Sequence, residues 1–228
     1  MSQTTKKSVF SLRNLVCMAM LCAIAYLVMY LSKLIFGPIK VAGILSFDLK
    51  DAVIAIGGFV LGPLSAFIVS VVVSLIEMVS VSETGPVGLL MNVLSTISFA
   101  CPAAWIYQHR RKMSGAVLGL VAGGLCMAGI MVLWNYLITP LYQGVPRDVV
   151  AAMLLPVFLP FNLIKAAMNG SLTVVLYKPV VTALRKARLV PESSGTAKKG
   201  FSKIGVTVIG ILVLATAVLL GLSLAGVI

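Results

Sequence analysis

Apolar runs as long as a bilayer is thick recur along the whole chain, separated only by short stretches of Gly, Pro and charge. A helix crossing the hydrocarbon of a membrane needs about 20 mostly apolar residues. Hydrophobic residues make up 60% of the 228 and charged residues 11%, with a mean hydropathy of +1.11; soluble domains run at roughly 45–50% and about 25%. The reading is an all-α integral membrane protein whose helices pack as one bundle, with no length left for a soluble domain. The formal net charge of +12 would point to nucleic acid in a soluble protein. In a membrane protein it is the mark of basic loops, so nucleic acid is set aside.

Breaks at Gly, Pro and charge place the spans at about 11–36, 49–61, 64–81, 87–108, 114–139, 150–184 and 204–227. The second and third are short and meet at Gly62-Pro63, which reads as a helical hairpin turning at the membrane edge. Pro156 and Pro160 interrupt the sixth, so 150–159 is expected as a separate loop or helix before a span from 160. The chain divides into a helical domain over 1–186, a linker over 187–203 and an additional hydrophobic helix over 204–228. That helix carries no polar stripe and is expected to face lipid or a partner. The first run, 12–36, is too long for a signal-peptide core and is read as a retained helix.

Lys and Arg in alternate loops are unequally shared. One side holds Lys6, Lys7, Arg13, Arg110, Arg111, Lys112, Lys178, Arg185, Lys186, Arg188, Lys198, Lys199 and Lys203; the other holds Lys33, Lys40, Lys50 and Arg147. The basic side is expected in the cytoplasm, with the N-terminus inside and the C-terminus outside. The loops near 37–48, 82–86 and 140–149 then face outward and carry most of the loop Gly, Pro and acids, a composition that suits a small-molecule site.

Catalytic chemistry is poorly provided for. The one histidine, His109, lies in a basic loop; the six acids are scattered; Gly195-Thr-Ala-Lys-Lys-Gly200 lacks the Lys-Ser/Thr ending of a phosphate loop. Cys17, Cys22, Cys101 and Cys126 form no metal-ligand spacing and read as buried thiols. Polar residues inside apolar helices are the informative feature. Asn162 and Lys165 stand three apart on one helix face, and a lysine at such depth costs roughly 2.5–3.5 kcal/mol to insert unless it is partnered, which marks a functional site. Asn135 is either a ligand amide or a helix–helix hydrogen bond. Asn92 is a candidate for capping, packing or binding. Asp48 and Asp51 read first as capping acids of the second helix, and Glu77 as a carboxylate that pairs with a nearby lysine or, in the favoured reading, reaches the interface. Ala19 and Ala23 form a small-x-x-x-small face that lets another helix approach.

Together these pieces resemble the substrate-binding S components of energy-coupling factor (ECF) transporters, most closely the riboflavin-specific RibU group. The likeness runs through Ala19 to Ala23, Leu45-Ser-Phe-Asp-Leu-Lys-Asp51, Ile56 to Pro63 and Gly85-Pro-Val-Gly-Leu-Leu-Met-Asn92. It is strongest in Pro140-Leu-Tyr142, Gly144-Val-Pro146 and Leu159-Pro-Phe-Asn-Leu-Ile-Lys165 with Leu176-Tyr-Lys178. The resemblance implies a six-helix bundle holding one vitamin near the outer face under the loop between helices one and two. It assigns ligand contacts to Asn162, Lys165 and Asn135, with Leu45, Ser46, Phe47 and Asp48 contributed by that loop and Gly85 and Asn92 nearby. It also implies that Ala19 and Ala23 pack on a transmembrane T component joined to two ATPases, and that no cofactor is held. The seventh helix and Ala166, where the group has Gly, depart from the pattern. An S component for another vitamin, an intramembrane enzyme and a ligand-free structural subunit are the rival readings.

Overall fold

The computed structural model describes residues 10–82, 84–189 and 203–227. Its elements are α1 (Leu12–Phe36), α2 (Lys50–Leu61), α3 (Pro63–Ser80), α4 (Gly85–His109), α5 (Met113–Gln143), α6 (Arg147–Met153), a π-helical segment (Leu154–Phe158), α7 (Leu159–Lys186) and α8 (Lys203–Leu224). Six helices, α1, α3, α4, α5, the continuous α6–α7 run and α8, are long and apolar enough to cross a membrane. The expected second span, 49–61, fails on length, because the 12 residues of α2 rise only about 18 Å at 1.5 Å each, against a hydrocarbon core of about 30 Å. Much of the expected linker, 190–202, lies outside the described residues.

Apolar side chains lie on both sides of these helices: Leu12, Val79, Leu125 and Leu141 are exposed, while Leu21, Met29 and Phe99 are buried beside small and polar residues, as expected when lipid is the solvent. α2 is the hub: Lys50 through Phe59 are all buried, enclosed by α1, α3, α4 and α7. Its glycines permit that. A Cβ on Gly58 would stand 2.8 Å from the Ala104 Cβ and 3.0 Å from that of Ala66. Gly62, at φ +108°, makes the whole turn into α3, and Pro63 occupies the first turn where its missing N–H costs nothing.

The α4–α5 contact is closer still. Gly115, Gly119 and Gly123 lie four apart on α5; a Cβ on Gly119 would stand 2.6 Å from the Ala103 carbonyl oxygen, and one on Gly123 would collide with that of Phe99. Sequence reasoning noticed Ala19 and Ala23 but missed this Gly-x-x-x-Gly repeat, the same signal in stronger form.

Pro156 and Pro160 do not separate two elements as expected. The chain stays helical from Arg147 to Lys186, and the π-helical segment absorbs the missing proline donors, with the Leu159 N–H donating to the Leu154 carbonyl five residues back. A first apolar cluster fills the space among α1 to α5 and α7. A second gathers Val41, Leu45 and Phe47 of the α1–α2 loop with Val150, Phe158, Phe161, Met168 and Ala217. α8 is therefore more than a lipid-facing addition, because it packs on α7 and this loop.

Replacing Gly123 by Ala should lower stability by about 1–3 kcal/mol through overpacking against backbone that cannot yield. Gly129→Ala, with nothing within 4 Å of the new Cβ, should be neutral or stabilising. Unfolding of the detergent-solubilised protein checks the pair.

Candidate functional site

The α1–α2 loop is built to a fixed shape. Val41 and Leu45 exchange backbone hydrogen bonds of 2.8 and 3.0 Å around a turn in which Ala42 and Gly43 both have positive φ; glycine takes this readily, alanine at some cost. The far end is tied to α1, where Ser32 Oγ accepts the Leu49 N–H at 3.2 Å. Leu45 and Phe47 are buried as a result, and Ser46 and Asp48 half-buried.

α7 presents Asn162, Lys165, Asn169 and Thr173 at helical spacing, all of them buried. Lys165 Nζ donates to Asp48 Oδ2 at 2.8 Å and lies 3.8 Å from Asp51 Oδ2. Asp51 accepts from Thr96 Oγ1 at 2.6 Å. Asn169 clasps the start of α2: its Oδ1 accepts the Ala52 N–H at 3.0 Å and its Nδ2 donates to the Asp48 carbonyl at 2.9 Å. Asn169 and Thr173 were not expected, although they continue the spacing of Asn162 and Lys165.

Three expectations are corrected. Asp48 and Asp51 do not cap α2; its N-cap is Leu49 with no side-chain cap, and both carboxylates are drawn instead to the Lys165 ammonium. Glu77 does not reach the interface as favoured but takes the other expected course, buried and hydrogen-bonded to a lysine, Lys50. Lys50 is not a loop lysine, since it is fully buried, whereas Lys33 stays part-exposed, 3.5 Å from Glu77 and donating to the Val81 carbonyl at 3.0 Å. Lys50 and Asp51 were hard to place from sequence because they sit at the junction of a polar loop and an apolar helix.

The result is a charge cluster near the 37–49 loop, with Asp48, Asp51 and Glu77 against Lys50 and Lys165. Burial alone would raise the Asp48 carboxyl, but the Lys165 and Lys50 ammonium groups outweigh it and hold it at about 2. This contribution to loop stability is complete above the ordinary carboxyl value of 3.8 and is lost as pH falls toward 2. Asp48 Oδ1 and Asp51 Oδ2 have no hydrogen-bond donor among the described residues, an uncommon and costly state for buried oxygens.

Asn135 on α5 is buried, donating to the Met131 carbonyl at 2.7 Å and accepting from Thr139 at 2.9 Å. Asn162 donates to the Phe158 carbonyl at 2.7 Å, and the Phe47 and Phe161 rings lie 4.6 Å apart. Gly85 opens α4 at φ +55° and Asn92 is half-buried two turns on; neither is drawn into the charge cluster. Ala19 and Ala23 are exposed. A groove of about 460 Å³ lies between α3, α4 and α5, lined by Phe67, Pro102 and Trp105, and is apolar. Lys165 does not line it.

Glu77→Leu strands the Lys50 ammonium in the interior and should destabilise by about 3–5 kcal/mol, while Lys50→Met combined with Glu77→Leu should recover most of the loss. Denaturant titration of the three proteins in detergent measures the difference.

The comparisons with known proteins agree with this architecture. The family model described as "ECF transporter, substrate-specific component" matches residues 13–177. A solved structure described as the S component of a bacterial ECF transporter superposes with a TM-score of 0.60 at 25% identity, covering 75% of this chain and 96% of its own. The search of curated proteins returns no match. A multi-pass bundle with a buried polar site and a family match across most of its length makes the chain a member of the substrate-specific component family of ECF transporters.

Proposed function

We propose that this S component captures riboflavin at the α1–α2 loop end and delivers it, with a T component and two ATPases, for uptake into the cell. The observation that carries the reading is the buried polar group around Lys165: an ammonium, the Asn162 amide on the same helix face, and two carboxylate oxygens, on Asp48 and Asp51, lacking a donor. Riboflavin is flat and apolar on its ring faces, with hydrogen-bonding ring atoms and a hydroxylated side chain. Its hydroxyls supply the donors the carboxylates lack, and its ring acceptors suit Lys165 and the Asn162 and Asn135 amides. The neighbouring Phe47 and Phe161 rings offer flat apolar surface for the ring system. Leu45, Ser46, Phe47 and Asp48 would enclose the ligand from the loop.

In this reading Asp48 occupies Lys165 until a ligand does, so exchange of one partner for the other couples occupancy to loop position. The exposed Ala19 and Ala23 would meet the T component, since small residues let its helices approach closely. The Lys- and Arg-rich end, which carries Arg110, Arg111, Lys112 and Arg185, would lie in the cytoplasm and the 37–49 loop outside.

The purified protein is expected to show a flavin absorbance spectrum or to quench added riboflavin stoichiometrically. Lys165→Ala and Asn162→Ala should each weaken binding about tenfold or more, the cost of removing a partner from a buried polar contact. Absence of both flavin and quenching would rule out riboflavin and direct the search to other vitamins. An unchanged dissociation constant in Lys165→Ala would remove Lys165 from the site.

A further inference from the structure

α8 lies outside the residues that the family model matches, which end at 177. It is nonetheless seated on the loop that closes over Lys165. Gly210, Ala217 and Gly221 are buried along one stripe of α8, while Ile211, Leu212, Leu219 and Leu220 face outward. A Cβ on Gly210 would stand 3.0 Å from the Val175 side chain of α7. One on Gly221 would stand 3.1 Å from Phe47 Cε2 and 3.6 Å from Ile164. Phe47 is 3% exposed and also lies 4.6 Å from the Phe161 ring, so it touches α7 and α8 at once. The next residue is Asp48, which holds Lys165.

We propose that Gly221 and Ala217 are positioning residues for ligand capture: α8 forms the wall against which Phe47 seats, and so sets how readily the Val41–Asp48 loop gives up Lys165 to a ligand. The loop cannot expose Lys165 without displacing Asp48, and Asp48 moves with Phe47. Phe47 in turn keeps its seat only because Gly221 has no side chain, which leaves the ring its room. The inference rests on the reading of this site as the ligand site.

The test uses the full chain in detergent and two readouts. In a Ser46→Cys background, maleimide labelling at position 46 is followed by site-resolved mass spectrometry, without ligand. In the otherwise native chain, the riboflavin dissociation rate is measured. Gly221→Val should raise both rates by about threefold or more by crowding Phe47, and Gly221→Ala should act in the same direction with smaller effect. Gly210→Val overpacks the same α7–α8 seam away from Phe47 and should leave both rates within about twofold of the parent. Gly221 variants that label like the parent, or like Gly210→Val, overturn the proposal; should Gly221→Val fail to fold, Gly221→Ala decides. A protein that binds no riboflavin counts against the preceding reading alone, because the labelling comparison decides the role of α8 without ligand.

Discussion

The pairing of two buried lysines with three buried or nearly buried carboxylates is the constraint on which this architecture turns. Charges carried into an apolar interior cost several kcal/mol apiece unless they are paired and hydrogen-bonded. Lys165 is satisfied by Asp48 and Asp51, and Lys50 by Glu77. These contacts cannot form unless α2, α3, α7 and the α1–α2 loop arrive together. Asn169 adds a neutral tie between α7 and the first turn of α2. A short helix that cannot span the bilayer is thereby held at the centre of the bundle.

Close backbone approach does what a hydrophobic core does in water. Lipid is as apolar as leucine, so burial of large aliphatic side chains gives little drive for helix association, and contact area depends on small residues. Gly119 and Gly123 bring α5 against the α4 backbone, Gly57 and Gly58 let α2 sit among its neighbours, and Gly210 and Gly221 do the same for α8. The two prolines near the start of α7 act within this scheme. By shifting the helix through a π-helical segment they keep a 40-residue run continuous while moving Phe158 and Phe161 into the cluster that receives Phe47.

Under the proposed function, the consequence is a site closed by its own loop. Lys165 has an internal carboxylate partner on the α1–α2 loop, and Phe47 fixes that segment against α7 and α8. In that proposal, release of the loop and occupation of the lysine are linked because Asp48 and the ligand compete for the same ammonium group.

Much of this was legible in the chain itself. Apolar run length established membrane helices, because no other structure satisfies the backbone in lipid, and Asn162 and Lys165 were visible because burying them is costly at any position of such a helix. The spacing rule that paired those two extends to Asn169 and Thr173 and was not followed far enough. The Gly115, Gly119, Gly123 repeat is likewise a local pattern of the chain. What the sequence could not disclose was partner choice. Whether Asp48 and Asp51 cap a helix or bind a lysine, and whether Glu77 and Lys50 meet solvent or one another, depends on residues 27 to 117 positions apart in the chain. The same holds for α8, apolar on every face, whose one buried stripe is defined only by the aromatic ring and the helix it meets. Local sequence determines helix and solvent because those follow from composition within a turn or a span; the pairing of buried charges is decided only by tertiary structure, since it is a property of distance between segments the chain leaves far apart.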